Sequence, residues 1–523
     1  MTMAVQVHTD AHLDLSAQGV DTWSGLDITR PQSLHASEAV LGNKKKILFV
    51  TSEMAGLVKS GGLGDVSAAL PRAMRHLHDI RVLIPGYLQV IHSGNSINII
   101  SELNGHAALP PCKIGRMDMK GGLIIYVLIC PELYERDGMP YTDNNGRDWS
   151  DNHIRFARLG LAAADFAAGA VKTQWCPDLV HAHDWPAGLA PAYMHWRGQT
   201  TPSVFTIHNL AYQGMVNPGS RCELGIPEYA LGIDGMEFNG KLSFIKAGMT
   251  YASHITTVSA TYAKEITTPA FGCGFEGLLQ RKAEQGLLSG IPNGIDASWD
   301  AETDEHLICR FSANEWHRKA INSEYIRKLF GLKPSTGPLC AVVSRLVFQK
   351  GLDLTIGIAE HIVNQGGQIA IIGRGEPEAE DAMRELALHF PKQVGTRIGF
   401  NETDARRLFA GSDFLLMPSR YEPCGLSQMY AQRFGSLPIA RKTGGLADTI
   451  EDGVSGFLFE ESTIESYTEA LIRAFKVFGH PELFNAMRCR AMNAPCHWQK
   501  AIEPYAQLYQ EVLQLQQSRI SVR

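Results

Sequence analysis

Short apolar runs with polar flanks recur along the chain, separated by stretches whose apolar residues repeat every three to four positions. The first run is Ile47-Leu48-Phe49-Val50, preceded by Lys44-Lys45-Lys46. A β-branched, apolar run of this length predicts a strand buried on both faces, here 44–50. A loop at 51–62 and a helix at 64–77 follow. Further runs predict strands at 81–85, 124–129, 178–183, 203–207 and 255–259, with helices at 152–170 and 187–196. After Pro292-Asn293-Gly294-Ile295-Asp296 the same grammar restarts. Strands are expected at 339–344, 368–373, 394–399, 414–417 and 437–440, with helices at 352–364, 378–389, 403–410 and 426–434 and a last helix at 502–516. Strands alternating with helices of this length predict two doubly wound parallel sheets, joined near 290–300. No repeat of 20–50 residues is present, which excludes solenoids and propellers. Ligands of such sheets sit beyond the carboxyl ends of the strands, so two sheets facing each other make a cleft that suits two substrates.

Composition narrows the class. The chain has 523 residues, 45% of them apolar and 20% charged, which excludes a collagen-like, coiled-coil or wholly disordered protein. The net charge of −6 argues against a nucleic-acid partner, which calls for a basic face. The ten cysteines are scattered with no Cys-x-x-Cys pair, the pattern of reduced thiols in a cytoplasmic protein. No stretch approaches the ~20 apolar residues of a membrane span, so no membrane partner is expected. Residues 1–43 carry Asp10, Asp14, Asp21, Asp27 and Glu38 against one Arg30 and lack an apolar signal core. They read as a disordered extension rather than a targeting peptide.

Five segments carry candidate chemistry. Lys59-Ser60-Gly61-Gly62-Leu63-Gly64-Asp65 lies between the first strand and first helix, where close glycines let backbone amides approach an anion and Lys59 adds a cation. Ser67 spoils a full G-x-G-x-x-G, and no Gly-Lys-Ser/Thr makes it a Walker A loop. Arg345 and Lys350 follow the first strand of the second half, two cations placed to neutralise a diphosphate or simply to be solvated. Glu422, in Arg420-Tyr421-Glu422-Pro423-Cys424-Gly425, either hydrogen-bonds sugar hydroxyls or caps the next helix. Lys442-Thr443-Gly444-Gly445-Leu446-Ala447-Asp448 is a second glycine-rich turn able to present amides to phosphate. His181-Ala182-His183-Asp184 ends a strand; a third good metal ligand is lacking, so a cleft-wall role is preferred to a metal, and His208 reads as structural.

These pieces, in order, resemble the bacterial glycogen synthases and their plant starch synthase relatives. KSGGLGDV, SDNHIRFARLG, HAHDWPAGLAPAY, FTIHNLAYQG, EFNGKLSFIKAGMTYASHITTVS, PNGID, VVSRLVFQKGLDL, PSRYEPCGLSQMYA and KTGGLADTI carry the resemblance, over about residues 44–515. It implies an α/β GT-B glycosyltransferase with two Rossmann-like domains around a central cleft. These would be 44–292 on the acceptor side, completed by a helix at 502–523 crossing back, and 293–501 on the nucleotide-sugar side. It implies transfer of glucose from ADP-glucose to the non-reducing end of an α-1,4-glucan such as glycogen, releasing ADP, in the cytoplasm, with no cofactor and no metal.

By the same resemblance Lys59 and Asp65, with Gly61 and Gly62, would serve the donor, and Arg345 and Lys350 would hold its diphosphate. Asp151, His183, Asn293 and Glu422 would surround the transferred glucose, with Tyr421 beside it, and Thr443, Gly444 and Gly445 would contact phosphate and sugar. The chain departs from the family pattern at Pro186, Ser60, Pro292 and Gly373-Arg374-Gly375-Glu376. Donor and product are both α-linked, and no carboxylate stands out as a double-displacement nucleophile, so a same-face route with the departing diphosphate as base is expected. A disaccharide-forming GT-B enzyme is disfavoured because Tyr430 stands where Glu-x₇-Glu would place its second acid. A dehydrogenase is disfavoured by the incomplete glycine fingerprint, an inactive glucan-binding scaffold by the intact candidate site, and a metal-bridged GT-A enzyme by the lack of any Asp-x-Asp.

Overall fold

The computed structural model describes residues 44–521; the expected extension at 1–43 lies outside them. The first half is built on a nine-stranded sheet. Its order is Leu288–Gly290, His254–Thr257, Ser203–Ile207, Leu179–His183, Lys46–Val50, Asp79–Pro85, Ile124–Ile129, Cys112–Asp118 and Ile97–Leu103. The first seven pair in parallel. The last two form an antiparallel hairpin on the edge, an addition to the expected all-parallel sheet. A small antiparallel sheet of Met215–Val216, Lys241–Ser243 and Glu237–Phe238 lies apart from it.

The second half is a six-stranded parallel sheet: Val394–Ile398, Gln368–Gly373, Leu339–Val343, Phe414–Met417, Leu437–Arg441 and Phe457–Phe459. Leu339, Ala341 and Val343 enter one core while Cys340 and Val342 enter the other, so the two-residue period of one strand feeds both faces of the sheet. Each fully buried side chain of this kind contributes roughly 1.5–3 kcal/mol.

Among the parallel strands, the order changes direction once in each sheet, between Lys46–Val50 and Leu179–His183 in the first and between Leu339–Val343 and Phe414–Met417 in the second. Those are the points where loops diverge and leave a crevice at the strand ends. The loops that leave them contain Lys59, Arg345, Lys350 and Glu422, and His183 is the last residue of its strand. The final helix, Trp498–Ser521, starts at Trp498 rather than 502. Trp498, Ile502, Tyr505, Tyr509 and Val512, at helical spacing, bury against the core of the first half. Tyr509 Oη lies 2.7 Å from His181 Nδ1 inside it.

Candidate active site

In the first half, the strand Lys46–Val50 runs into Thr51-Ser52-Glu53, and the helix begins at Gly62, two residues earlier than the spacing predicts. Glu53 is 3% exposed. Its Oε2 accepts the backbone N–H of Ser60 at 2.6 Å and of Gly61 at 2.9 Å. Its Oε1 accepts from Tyr141 Oη at 2.9 Å. The amides of Ser60 and Gly61, expected to face an anionic ligand, are therefore turned inward onto the chain's own carboxylate. What the turn presents outward is Gly62, where an added Cβ would come within 3.6 Å of Leu426 Cδ1 of the second half. It also presents Lys59, whose Nζ donates to Asp65 Oδ1 at 2.7 Å. Burial raises the Asp65 pKa, and the Lys59 charge opposes that rise.

His181 and His183 point the same way from their strand, rings 4.0 Å apart, but differ in use. His181 spends both nitrogens inside, on Tyr509 and on Thr206 Oγ1 at 2.6 Å. His183 Nδ1 meets His208 Nε2 at 3.0 Å, while its Nε2 is buried without a partner among the described residues. Burial, then the neighbouring histidines, hold His183 well below the usual imidazole range, and burial pushes His208 down to about 3. Both rings are neutral at pH 7, so the vacant Nε2 serves as a hydrogen-bonding group and not as a cation. Asp184 turns the chain at φ 59°, and its carboxyl is pushed up to about 7, chiefly by burial. Asp151 sits just before the helix Asn152–Ala167 and is held by Arg136 through both oxygens, at 3.0 and 2.8 Å.

In the second half, Lys350 Nζ donates to Glu422 Oε2 at 2.5 Å, and Ser419 Oγ donates to the same oxygen at 2.9 Å. The Glu422 side chain is 8% exposed. The next helix begins only at Ser427, so Glu422 does not cap it and its carboxylate belongs to the lysine. Arg345 reaches across the cleft, its Nη1 donating to Tyr212 Oη at 2.8 Å, while its Nη2 lies 3.3 Å from Gln349 Oε1. Gln349 Nε2 in turn donates to the carbonyl of Tyr421 at 3.1 Å, and burial pushes the Tyr421 hydroxyl up to about 12. Asn293 is 6% exposed, with Oδ1 buried and unpartnered, and its backbone hydrogen-bonds the Cys424 thiol.

In the turn Thr443-Gly444-Gly445, expected to face phosphate, polar groups carry bonds within the chain. Gly445 N donates to Glu422 O at 3.0 Å. Thr443 Oγ1 and Gly444 N both donate to Glu265 Oε1 of the first half, each at 2.9 Å. Gly444 has φ +44°, and a Cβ there would meet Glu422 O at 2.0 Å, so only glycine fits. The turn thus props up the Glu422 segment and ties the halves together, and Thr261 Oγ1 adds a second tie to Asp448 at 2.5 Å.

Arg345, Lys350, Glu422 and Tyr421 therefore form one cluster, the Lys59–Asp65 turn approaches the second half at Leu426, and His183 and Asn293 each keep a buried atom without a partner among the described residues. Asp151 is tied to Arg136 on the first half's rim. Glu53, Tyr141, Tyr212, Ser419, Gln349 and Glu265 escaped sequence reasoning. Only Glu53 carried a signal, as an acidic residue three positions past a strand that ends at a change of strand order. Among the described residues, no group of three or more His, Cys, Asp or Glu could hold a metal ion, and no helix is long and apolar enough to cross a membrane.

Two family profiles match: one described as starch synthase catalytic domain over residues 46–281, the other as glycosyl transferases group 1 over residues 328–482. A glycogen synthase of Pseudomonas syringae pv. tomato is 79% identical over 471 residues, 90% of this chain and 97% of that protein. A glycogen synthase of Pseudomonas aeruginosa is 57% identical over 483 residues, 92% of this chain and 94% of that protein. Among solved structures, the catalytic domain of starch synthase IV from Arabidopsis thaliana, bound to ADP and acarbose, is similar with a TM-score of 0.79 at 28% identity. It covers 91% of this chain and 100% of that one.

Proposed function

The chain belongs to the glycogen synthase family and is a GT-B glycosyltransferase, and from that premise we propose that ADP-glucose is its donor, the non-reducing end of an α-1,4-glucan its acceptor, and retention its outcome. The observation that carries the reading is the gathering of Arg345, Lys350 and Glu422 at the strand ends of the second half, Lys350 paired with buried Glu422 and Arg345 bonded across to Tyr212 of the first half, while Lys59 stands on the turn whose Gly62 approaches Leu426. The donor diphosphate lies between these cations. As the glucosyl–phosphate bond loosens, negative charge grows on the leaving diphosphate, and Arg345, Lys350 and Lys59 stabilise it there. Each is already held, by Tyr212, Glu422 and Asp65 respectively, so little reorganisation is needed when charge develops.

The acceptor hydroxyl enters on the face the diphosphate leaves and passes its proton to a diphosphate oxygen, so the new glycosidic bond keeps the α configuration. Neutral His183 offers Nε2 and Asn293 offers Oδ1 to glucose hydroxyls, with Asp151 and Tyr421 bordering the sugar. The step needs no metal and no cofactor, and the ten unpaired cysteines suit a reducing cytoplasm. Radiolabelled ADP-glucose or UDP-glucose, offered with glycogen as primer with and without EDTA, tests this. Incorporation from ADP-glucose that survives EDTA is expected; incorporation from UDP-glucose alone, or its loss in EDTA, would overturn the donor or the metal-free reading.

A further inference from the structure

Glu53 takes no part in the chemistry above, yet it is the most heavily used carboxylate of the first half's rim. We propose that Glu53 is a positioning residue, holding the Lys59–Gly62 turn in the register in which Lys59 meets the donor diphosphate. The proposal rests on the reading of that turn as part of the donor site. Three donors converge on this one side chain: the amides of Ser60 and Gly61 on Oε2 and the hydroxyl of Tyr141 on Oε1. Ser52 Oγ, 2.8 Å from Tyr141 Oη, completes the chain of hydroxyls behind it.

A buried carboxylate beside a diphosphate site opposes binding by like-charge repulsion, so what it contributes comes through geometry. With both amides drawn inward, the backbone at Gly62 is turned towards Leu426, and Lys59 is left as the cation at the rim. The fit is close: a Cβ on Gly64 would lie 3.0 Å from Lys59 Cγ and 3.2 Å from Glu53 Oε2. The other arm reaches the second loop of the rim, because the carbonyl of Tyr141 accepts from Asn152 Nδ2 at 2.9 Å, next to Asp151. One side chain thus fixes two loops that the strand order only brings near each other.

The test measures KM for ADP-glucose, KM for glycogen, kcat and Tm on the full chain carrying Glu53→Leu, Glu53→Gln, Lys59→Ala or Gly64→Ala. Leucine removes every acceptor; the donor KM should rise at least ~tenfold while the glycogen KM stays within about twofold. Glutamine can turn its carbonyl to the two amides and its NH₂ to the Tyr141 oxygen, so it should recover most of the loss. Gly64→Ala, which pushes on Lys59 and Glu53 while leaving every charge in place, should raise the donor KM about threefold at unchanged Tm. An unchanged donor KM in Lys59→Ala would overturn the reading of the turn itself. A raised donor KM in Lys59→Ala beside an unchanged one in folded Glu53→Leu would overturn the role of Glu53 alone. So would two KM values that rise together in Glu53→Leu and are not recovered by glutamine. Should Glu53→Leu fail to fold, an unchanged donor KM in Gly64→Ala overturns the role as well.

Discussion

Lys59-Ser60-Gly61-Gly62-Leu63-Gly64-Asp65 in the first half and Lys442-Thr443-Gly444-Gly445-Leu446-Ala447-Asp448 in the second are nearly the same word, and both open a helix after a strand. In each, backbone amides are taken by a carboxylate of the chain. The first turn is held from within its own half by Glu53, while the second is held from the opposite half by Glu265. Lys59 pairs inside the cleft with Asp65, whereas Lys442 pairs on the outer surface with Glu460, the two side chains 51% and 68% exposed. Asp448 leaves its own turn to bond Thr261. Lysine and aspartate at the same spacing therefore make a rim cation in one place and a brace between halves in the other. What differs is where the receiving carboxylate sits, Glu53 in the same half and Glu265 in the opposite one.

The comparison breaks most easily at the lysines. Lys59→Ala should lower kcat/KM for ADP-glucose at least ~tenfold, since it removes a preorganised contact to developing charge. Lys442→Ala should stay within about twofold, because an exposed pair contributes only ~0–1 kcal/mol to anything. Equal losses at the two sites would erase the distinction. The glycines come next. Gly444→Ala forces a Cβ onto Glu422 O at positive φ and should cost about 1–3 kcal/mol, read as a lower Tm together with a lower kcat. Gly61→Ala meets nothing within 4 Å at an extended φ of −152° and should leave Tm unchanged.

The smallest effect concerns pH. Burial raises the pKa of Glu265, opposed by its bonds from Gly444 and Thr443. A carboxyl whose folded pKa lies above its unfolded value adds stability at low pH that is lost as pH rises through the folded value. Stability of the wild type should therefore fall with rising pH relative to Glu265→Gln, which keeps an acceptor for Thr443 and Gly444. Parallel pH–Tm curves for the two proteins would contradict this.

The parallel architecture was legible because buried parallel strands are continuous apolar runs; Ile124–Ile129, Gln368–Gly373 and the helix Leu352–Asn364 fall where their spacing places them. The edge hairpin escaped because Ile97–Leu103 and Cys112–Asp118 bury one face in alternation and carry lysine, arginine and asparagine between apolar positions. The helix Trp316–Leu329 escaped for another reason. Its buried positions are Lys319, Asn322 and Ile326, so it shows no apolar stripe, and Lys319 is satisfied instead by the carbonyls of Ala410 and Phe434. At the site, residue types could be read but partners could not. The tie of Thr443 to Glu265 spans 178 positions and that of Arg345 to Tyr212 spans 133, and nothing local encodes either. Both glycine turns read alike as phosphate binders, since the letters do not say which side their amides will face.

The central claim is that a pyrophosphate group is gripped by Arg345 and Lys350 from one side of the cleft and by Lys59 from the other. The measurement that tests it most directly is the kcat for transfer of radiolabelled glucose from ADP-glucose to glycogen by Arg345→Ala and Lys350→Ala, each shown to be folded by its melting curve. Losses of ~10²–10³-fold, about 3–4 kcal/mol per contact, are expected. Folded variants that turn over at the wild-type rate would contradict it.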